Sequence, residues 1–242
     1  MPEHYPIHFT GRRWPAVLAT SVSHMLVPVA GDPQGYETVS VSRVEVRGDG
    51  RRWRTTKALG LWRTFSEIET SDPAQVMGFV MRYGDPNQKP DDLPVEQPSP
   101  PVRTFYSYKW DELAGVLRLI GDCWQKEPGW GPRDDGAEEA GADGVCHVRD
   151  GEPSEQVHRF IHSDLAGWKP IIGRFDSRTG FRLDASSLAD FMVASAVQHL
   201  FRRMPLKRCA FCSHWFAFER TNMKTCSDAC RNALSRDTRS DD

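Results

Sequence analysis

Four cysteines near the C-terminus constrain this chain more than any other feature. Cys209 and Cys212 are separated by two residues and Cys226 and Cys230 by three, with thirteen residues between the pairs. Such a doubled pair is a metal-ligand spacing. Four thiolates at tetrahedral geometry suit a structural Zn²⁺ ion, whose filled d shell accepts four soft ligands and leaves no position open for substrate. A thiol redox couple, a disulfide framework and an iron-sulfur cradle are rival readings of the same residues. They rank below structural zinc, because disulfide scaffolds belong mostly to small secreted chains and this chain has 242 residues. Cys123 and Cys146 lie outside the pattern and read as spare thiols. The expected cofactor is therefore one Zn²⁺ held by Cys209, Cys212, Cys226 and Cys230.

A chain of this length holds one ordinary domain and a small appendage. Its net charge of -2 offers no overall attraction to nucleic acid, but the charges are unevenly placed. Residues 1 to 201 carry 22 Lys/Arg against 28 Asp/Glu, and residues 202 to 242 carry 9 against 5, so the cysteine-rich end is the positive end. Such asymmetry points to polyanion contact. At the other end, Arg12 and Arg13 precede an uncharged stretch from Trp14 to Ala30 that superficially resembles a secretion signal. Ser21, Ser23, His24 and two prolines interrupt it, and Glu3 sits where a basic region belongs, so no leader is expected. No run reaches the roughly eighteen apolar residues of a membrane span. A cytoplasmic protein with reduced cysteines and no membrane partner is the expectation.

Two segments read as linkers. Gly84 to Pro101 contains six prolines, and Glu127 to Gln156 contains six glycines and nine acidic residues against two arginines. The second has too little apolar content to offset the entropy of ordering it. The expected division is an α+β N-terminal domain over 1–126, an acidic flexible insertion over 127–156, a hairpin and helix completing the core over 157–205, and the zinc segment over 206–242. The N-terminal domain is expected to be mixed but mainly helical, with a small sheet.

Within that frame, Val39, Val41, Val44 and Val46 alternate with a slip at Ser42 and Arg43, which predicts a half-buried strand with a bulge, and Trp53 reads as the end of its partner strand. Ser71-Asp72-Pro73 starts a helix that stops at Gly84, with Leu59, Leu61, Trp62 and Phe65 forming an adjoining one. Asp111 opens a third helix. Ile171 to Leu183 reads as a hairpin, followed by a helix that Ser186 or Ser187 caps and Pro205 ends. Most of the eight tryptophans sit in apolar patterns and read as core.

In the zinc segment, Cys209-Ala210-Phe211-Cys212 predicts a knuckle whose amides point at sulfur, and His214 to Phe218 begins a strand with Phe216 and Phe218 on one face. Because Ser227 follows Cys226, the second pair is expected to straddle a helix start, with Cys226 and Cys230 at i and i+4 on one helical face that Ala233 continues. Knuckle, hairpin and ligand-bearing helix make a treble-clef-like finger, too small to fold without metal.

The runs Arg208-Cys209-x-x-Cys212-x-x-Trp215-Phe216 and Lys224-Thr225-Cys226-Ser227-x-x-Cys230-Arg231-Asn232 resemble the CGNR-type zinc fingers that end many bacterial proteins. Leu59 to Gly84 and the helix from Ser187 to Arg203 are similar to other parts of such proteins. The chain departs from the family signature at Arg231, where glycine is usual, and at Ala233, where arginine is; Ser213 likewise stands in place of a glycine. The resemblance implies a transcriptional or stress regulator that binds DNA.

Three functional readings follow. In the first, Arg202, Arg203, Lys207, Arg208, Lys224, Arg231 and Arg236 neutralise phosphates, while Asn232 and Arg236, four apart on the last helix, reach base edges, with DNA favoured over RNA. In the second, zinc is purely structural and the chain is a protein-protein interaction or effector-binding module. The third is an enzyme, for which His158, His162 and Asp164 are the only candidate cluster. With no nucleophile motif and no phosphate-binding glycine loop, no catalytic residue is assigned.

Overall fold

The computed structural model describes residues 7–28, 34–48, 50–55, 59–87, 102–126, 146–148, 171–176, 180–218, 220 and 222–240. In chain order these form β1 (Ile7–Arg13), β2 (Val17–Pro28), β3 (Tyr36–Val46), β4 (Arg51–Thr55), α1 (Leu61–Ser66), α2 (Pro73–Tyr83), β5 (Arg103–Tyr106), α3 (Trp110–Gly121), β6 (Trp124–Lys126) and β7 (Cys146–Val148). There follow β8 (Ile171–Asp176), β9 (Gly180–Ala185), α4 (Leu188–Phe201), β10 (Leu206–Arg208), β11 (Trp215–Ala217) and α5 (Asp228–Ser240). The chain is α+β, but strand is about as common as helix, which corrects the expectation of a mainly helical N-terminal domain. The main cause is the uncharged stretch after Trp14, which supplies the twelve residues of β2. Its mix of Ser, Thr, Ala and apolar residues gives little alternation for a strand to be recognised by. Among the described residues no helix is long and apolar enough to cross a membrane.

The chain divides into two compact units. The first comprises Met1–Lys57, Glu67–Val116 and Pro170–Phe191. One of its sheets has the order β4-β1-β9-β8, in which β1 runs parallel to β9 and antiparallel to β4, and β8 and β9 form the expected hairpin. Trp53 therefore pairs with Gly11 of β1, and belongs to no partner of β3. Its indole donates to the Tyr83 carbonyl at 3.0 Å, and its ring meets Phe9, which stacks in turn on Phe191.

The other sheet has the order β2-β3-β5. Its register is continuous from Glu45 to Tyr36, so the bulge expected at Ser42 and Arg43 is absent; the irregularity lies on the opposite strand, between Val17 and Ala19. What broke the alternation is Ser42, a fully buried polar residue. Its N–H donates to Ser107 Oγ at 2.8 Å and its hydroxyl donates to the Thr70 carbonyl at 3.0 Å. Burial is tolerated because both groups are paired.

Helix α2 follows from its punctuation. Asp72 accepts the Ala74 N–H at 2.8 Å, and Pro73 occupies the first turn, where no intrahelical donor is needed. Gly84 ends it at φ 98°, donating to the Val80 carbonyl; a Cβ there would strike the Arg12 carbonyl. Glycine satisfies both demands. Val76, Phe79 and Val80 form its buried face, and Phe79 meets Trp110 edge-on.

The second unit comprises Ala58–Ser66, Leu117–Lys169 and Met192–Asp242. Its core gathers Trp62, Leu117, Ile120, Trp124, Met192 and Leu200, all buried. The Trp62 indole donates to Nδ1 of the buried His199 at 3.1 Å, and that of Trp124 to the Met204 carbonyl at 2.9 Å. The third described sheet, of order β11-β10-β7-β6, belongs to this unit. Strand β7 falls within the acidic Glu127–Gln156 tract; most of that tract, and all of His158, His162 and Asp164, lie outside the described residues. Trp14, Trp62, Trp110, Trp124 and Trp215 are buried, as their apolar settings implied.

Replacing Ser107 by Ala leaves the buried Ser42 N–H without its acceptor. The expected loss is about 1–3 kcal/mol of unfolding free energy, read as a lower urea midpoint at unchanged slope.

Candidate metal centre

The C-terminal segment begins with β10 and β11, paired antiparallel with Leu206 opposite Ala217, Lys207 opposite Phe216 and Arg208 opposite Trp215. The knuckle Cys209–Cys212 is the tip of this hairpin. It is closed by the Cys209 N–H donating to the His214 carbonyl and the Ser213 N–H to the Cys209 carbonyl, both at 2.9 Å. A further bond, from Ala210 N–H to the Lys224 carbonyl at 2.9 Å, ties the tip to the segment carrying the second cysteine pair. Ser213 adopts φ 57°, a left-handed conformation that costs a residue with a Cβ roughly 1–2 kcal/mol. This is the position at which the resemblance implies a glycine.

Ser227 caps α5. Its Oγ accepts the Cys230 N–H at 3.2 Å, and its carbonyl accepts the Arg231 N–H. Cys226 therefore lies just before the cap and Cys230 within the helix, so the pair straddles the helix start as expected but does not share one helical face. A cap residue has non-helical backbone, so the four-residue spacing is not the helical one. The two sulfurs nevertheless meet, at 3.6 Å.

All four Sγ atoms lie within 4.8 Å of one another, with Cys212 and Cys226 also 3.6 Å apart. Four thiolates around one ion with metal–sulfur bonds of about 2.3 Å stand about 3.8 Å from each other. The cluster thus has the size and donor set to hold a metal ion. Cys209 and Cys230 are buried against Phe216 and Phe218, with Cys212 and Cys226 at the margin. None of the four forms a disulfide, nor does Cys123, which is buried.

The local field is shaped for sulfur as an anion. Burial pushes the Cys209 thiol up, but hydrogen bonds from the amides of Cys212, Cys226 and Phe211 outweigh it and bring the thiol down to about 7. Cys226 is driven well above the ordinary thiol range by burial and by the adjacent sulfurs of Cys230 and Cys212. One anion is welcomed and the accumulation of several is resisted, a conflict that a divalent cation removes.

The remaining candidate residues do not converge. Strand alternation places Lys207 and Arg208 on opposite faces of β10. Lys207 lies over the ring of Phe218, 4.3 Å from its centroid, and Arg208 over that of Trp215 at 5.2 Å. Arg231 pairs with Asp228 at 3.0 Å and Arg236 Nε donates to the Asn232 carbonyl at 3.2 Å, all on the exposed side of α5. Arg202, Arg203 and Lys224 are exposed elsewhere in the segment.

Gly60 and Thr64, which are not among the site candidates, are structural partners of the hairpin. A Cβ on Gly60 would lie 2.5 Å from the Trp215 carbonyl, and Thr64 Oγ accepts the Trp215 N–H at 3.3 Å. Only a residue lacking a side chain permits that approach. Comparison with family models, with curated proteins and with solved structures gives no match to this chain.

Two outcomes are expected. Ser213→Gly relieves the left-handed strain and stabilises the metal-loaded protein by about 0.5–1 kcal/mol after the entropy cost of glycine, measured by thermal unfolding. Because ligand thiols must lose protons to bind, metal affinity rises as pH rises through about 7, where Cys209 titrates; chelator competition across pH reads this, and Cys230→Ala abolishes stoichiometric binding.

Proposed function

We propose that the chain holds one structural Zn²⁺ through Cys209, Cys212, Cys226 and Cys230, and that the resulting finger, of the CGNR type, contacts nucleic acid as part of a regulatory protein. The observation that carries the zinc assignment is the all-sulfur cluster itself. Four thiolates with a spread of 4.8 Å or less leave no coordination position for a reactant. The ion's work is then to fold the segment, whose own core is little more than Phe216, Phe218 and the cysteines.

Charge supports the second half of the proposal. Between Arg202 and Arg236 there are eight Lys/Arg against two acidic residues. Helix α5 starts at the metal ligand and leaves Arg231, Asn232 and Arg236 exposed. A rigid helix with an amide and a guanidinium one turn apart suits readout of base edges, and the surrounding cations suit phosphate, with DNA favoured over RNA. Lys207 and Arg208 lie on opposite faces of β10, so fewer than the full set reach one duplex.

The test is binding of the zinc-loaded chain to duplex DNA and RNA probes under titration with salt. Affinity is expected to fall steeply between about 50 and 200 mM salt, and Arg236→Ala to flatten the slope. A chain that shifts neither probe at low salt removes the nucleic-acid reading and leaves zinc as a support for a protein-binding or effector-binding module.

A further inference from the structure

The described sheet of β2, β3 and β5 leaves β2 at its edge. Edge strands in natural proteins are short, or carry Lys, inward charges or central prolines that deter pairing with another chain. Strand β2 has twelve residues and no charged side chain, and its single proline, Pro28, is its last residue. Its partner β3 covers one side of the backbone from Ala19 to Pro28 without interruption. Along the same strand Val22 is 54% exposed and Leu26 71%, and Tyr36, which closes the ribbon opposite Pro28, is 65% exposed. Val22, Leu26 and Tyr36 share one face of the ribbon by strand alternation, while Val27 on the other face is buried.

We infer that β2 pairs with β2 of a second copy of this chain, antiparallel about a two-fold axis normal to the sheet. Three features favour a copy over a different partner. The first is charge. Arg47 follows β3 at the Val17 end and Glu37 lies opposite Val27 at the other, while Arg43 and Glu45 between them pair with each other. Antiparallel self-pairing brings the basic end of one ribbon to the acidic end of the other, whereas parallel pairing opposes like ends.

The second is pattern. A two-fold axis of this kind sets even-numbered residues against even-numbered ones on one face. Between the irregularity at Val17–Ala19 and Pro28 the strand centres on His24, and a ladder centred there opposes Val22 to Leu26 of the copy twice. The third is size: three strands become a continuous six, within the usual range for a sheet. The interface is independent of the metal and of any nucleic acid.

Sedimentation velocity of the intact zinc-loaded chain over a concentration series tests this, with Val22→Lys/Leu26→Lys and the milder Val22→Thr/Leu26→Thr beside it. Both variants alter exposed side chains, and circular dichroism and metal content check their folding. A dimer is expected for the native chain, with a dissociation constant raised at least about tenfold by the threonine pair and further by the lysines, which set like charges across the ladder. His24→Cys should add a disulfide-linked dimer under mild oxidation, beyond that of the native chain. A native chain that stays monomeric at high micromolar concentration overturns the inference. So does a dimer that neither variant weakens, which places the contact on another surface.

Discussion

The mutual repulsion of four sulfurs is the constraint around which the C-terminal segment is organised. Brought within 4.8 Å, they become stable as thiolates only when an opposite charge lies among them. Every nearby feature serves that end: a hairpin tip closed by two amide bonds, a Ser227 cap that holds Cys230 in the first turn, and a bond from Ala210 to Lys224 that keeps the two halves in register. Phe216 and Phe218 exclude water on one side. No other cluster of three or more potential metal-binding groups occurs among the described residues.

Much of this was legible in the sequence because it depends on local rules. Cysteine spacing reports that the four sulfurs come together, Asp72-Pro73 and Gly84 report the ends of α2, and the alternation of Phe216 and Phe218 reports which side of the hairpin meets the sulfurs. These signals span a few residues and need no knowledge of what lies across the fold. Cys226 shows the limit. A spacing of four is equally compatible with two residues on a helix and with one residue ahead of its cap, and only the Ser227 hydrogen bond decides between them.

What stayed illegible depends on residues far apart in the chain. The parallel pairing of β1 with β9 joins Ile7 to Leu183, and no local pattern encodes it. Ser42 looked like a defect in an apolar strand because its partners, Thr70 and Ser107, come from distant segments. The family resemblance remains a proposal, since the comparisons returned no match. Sequence proximity groups the basic residues, whereas the fold distributes them over both faces of β10 and the outer side of α5.

The close approach of Gly60 to the Trp215 carbonyl bears on how portable the finger is. A segment cut at residue 206 would carry all four ligands but would leave behind the flat seat, Gly60 and Thr64, on which its second strand rests. A faithful transplant into another scaffold would need Ala58–Ser66 as a separate piece of chain. The four cysteines lie in one short stretch of the chain; the seat on which their hairpin rests does not.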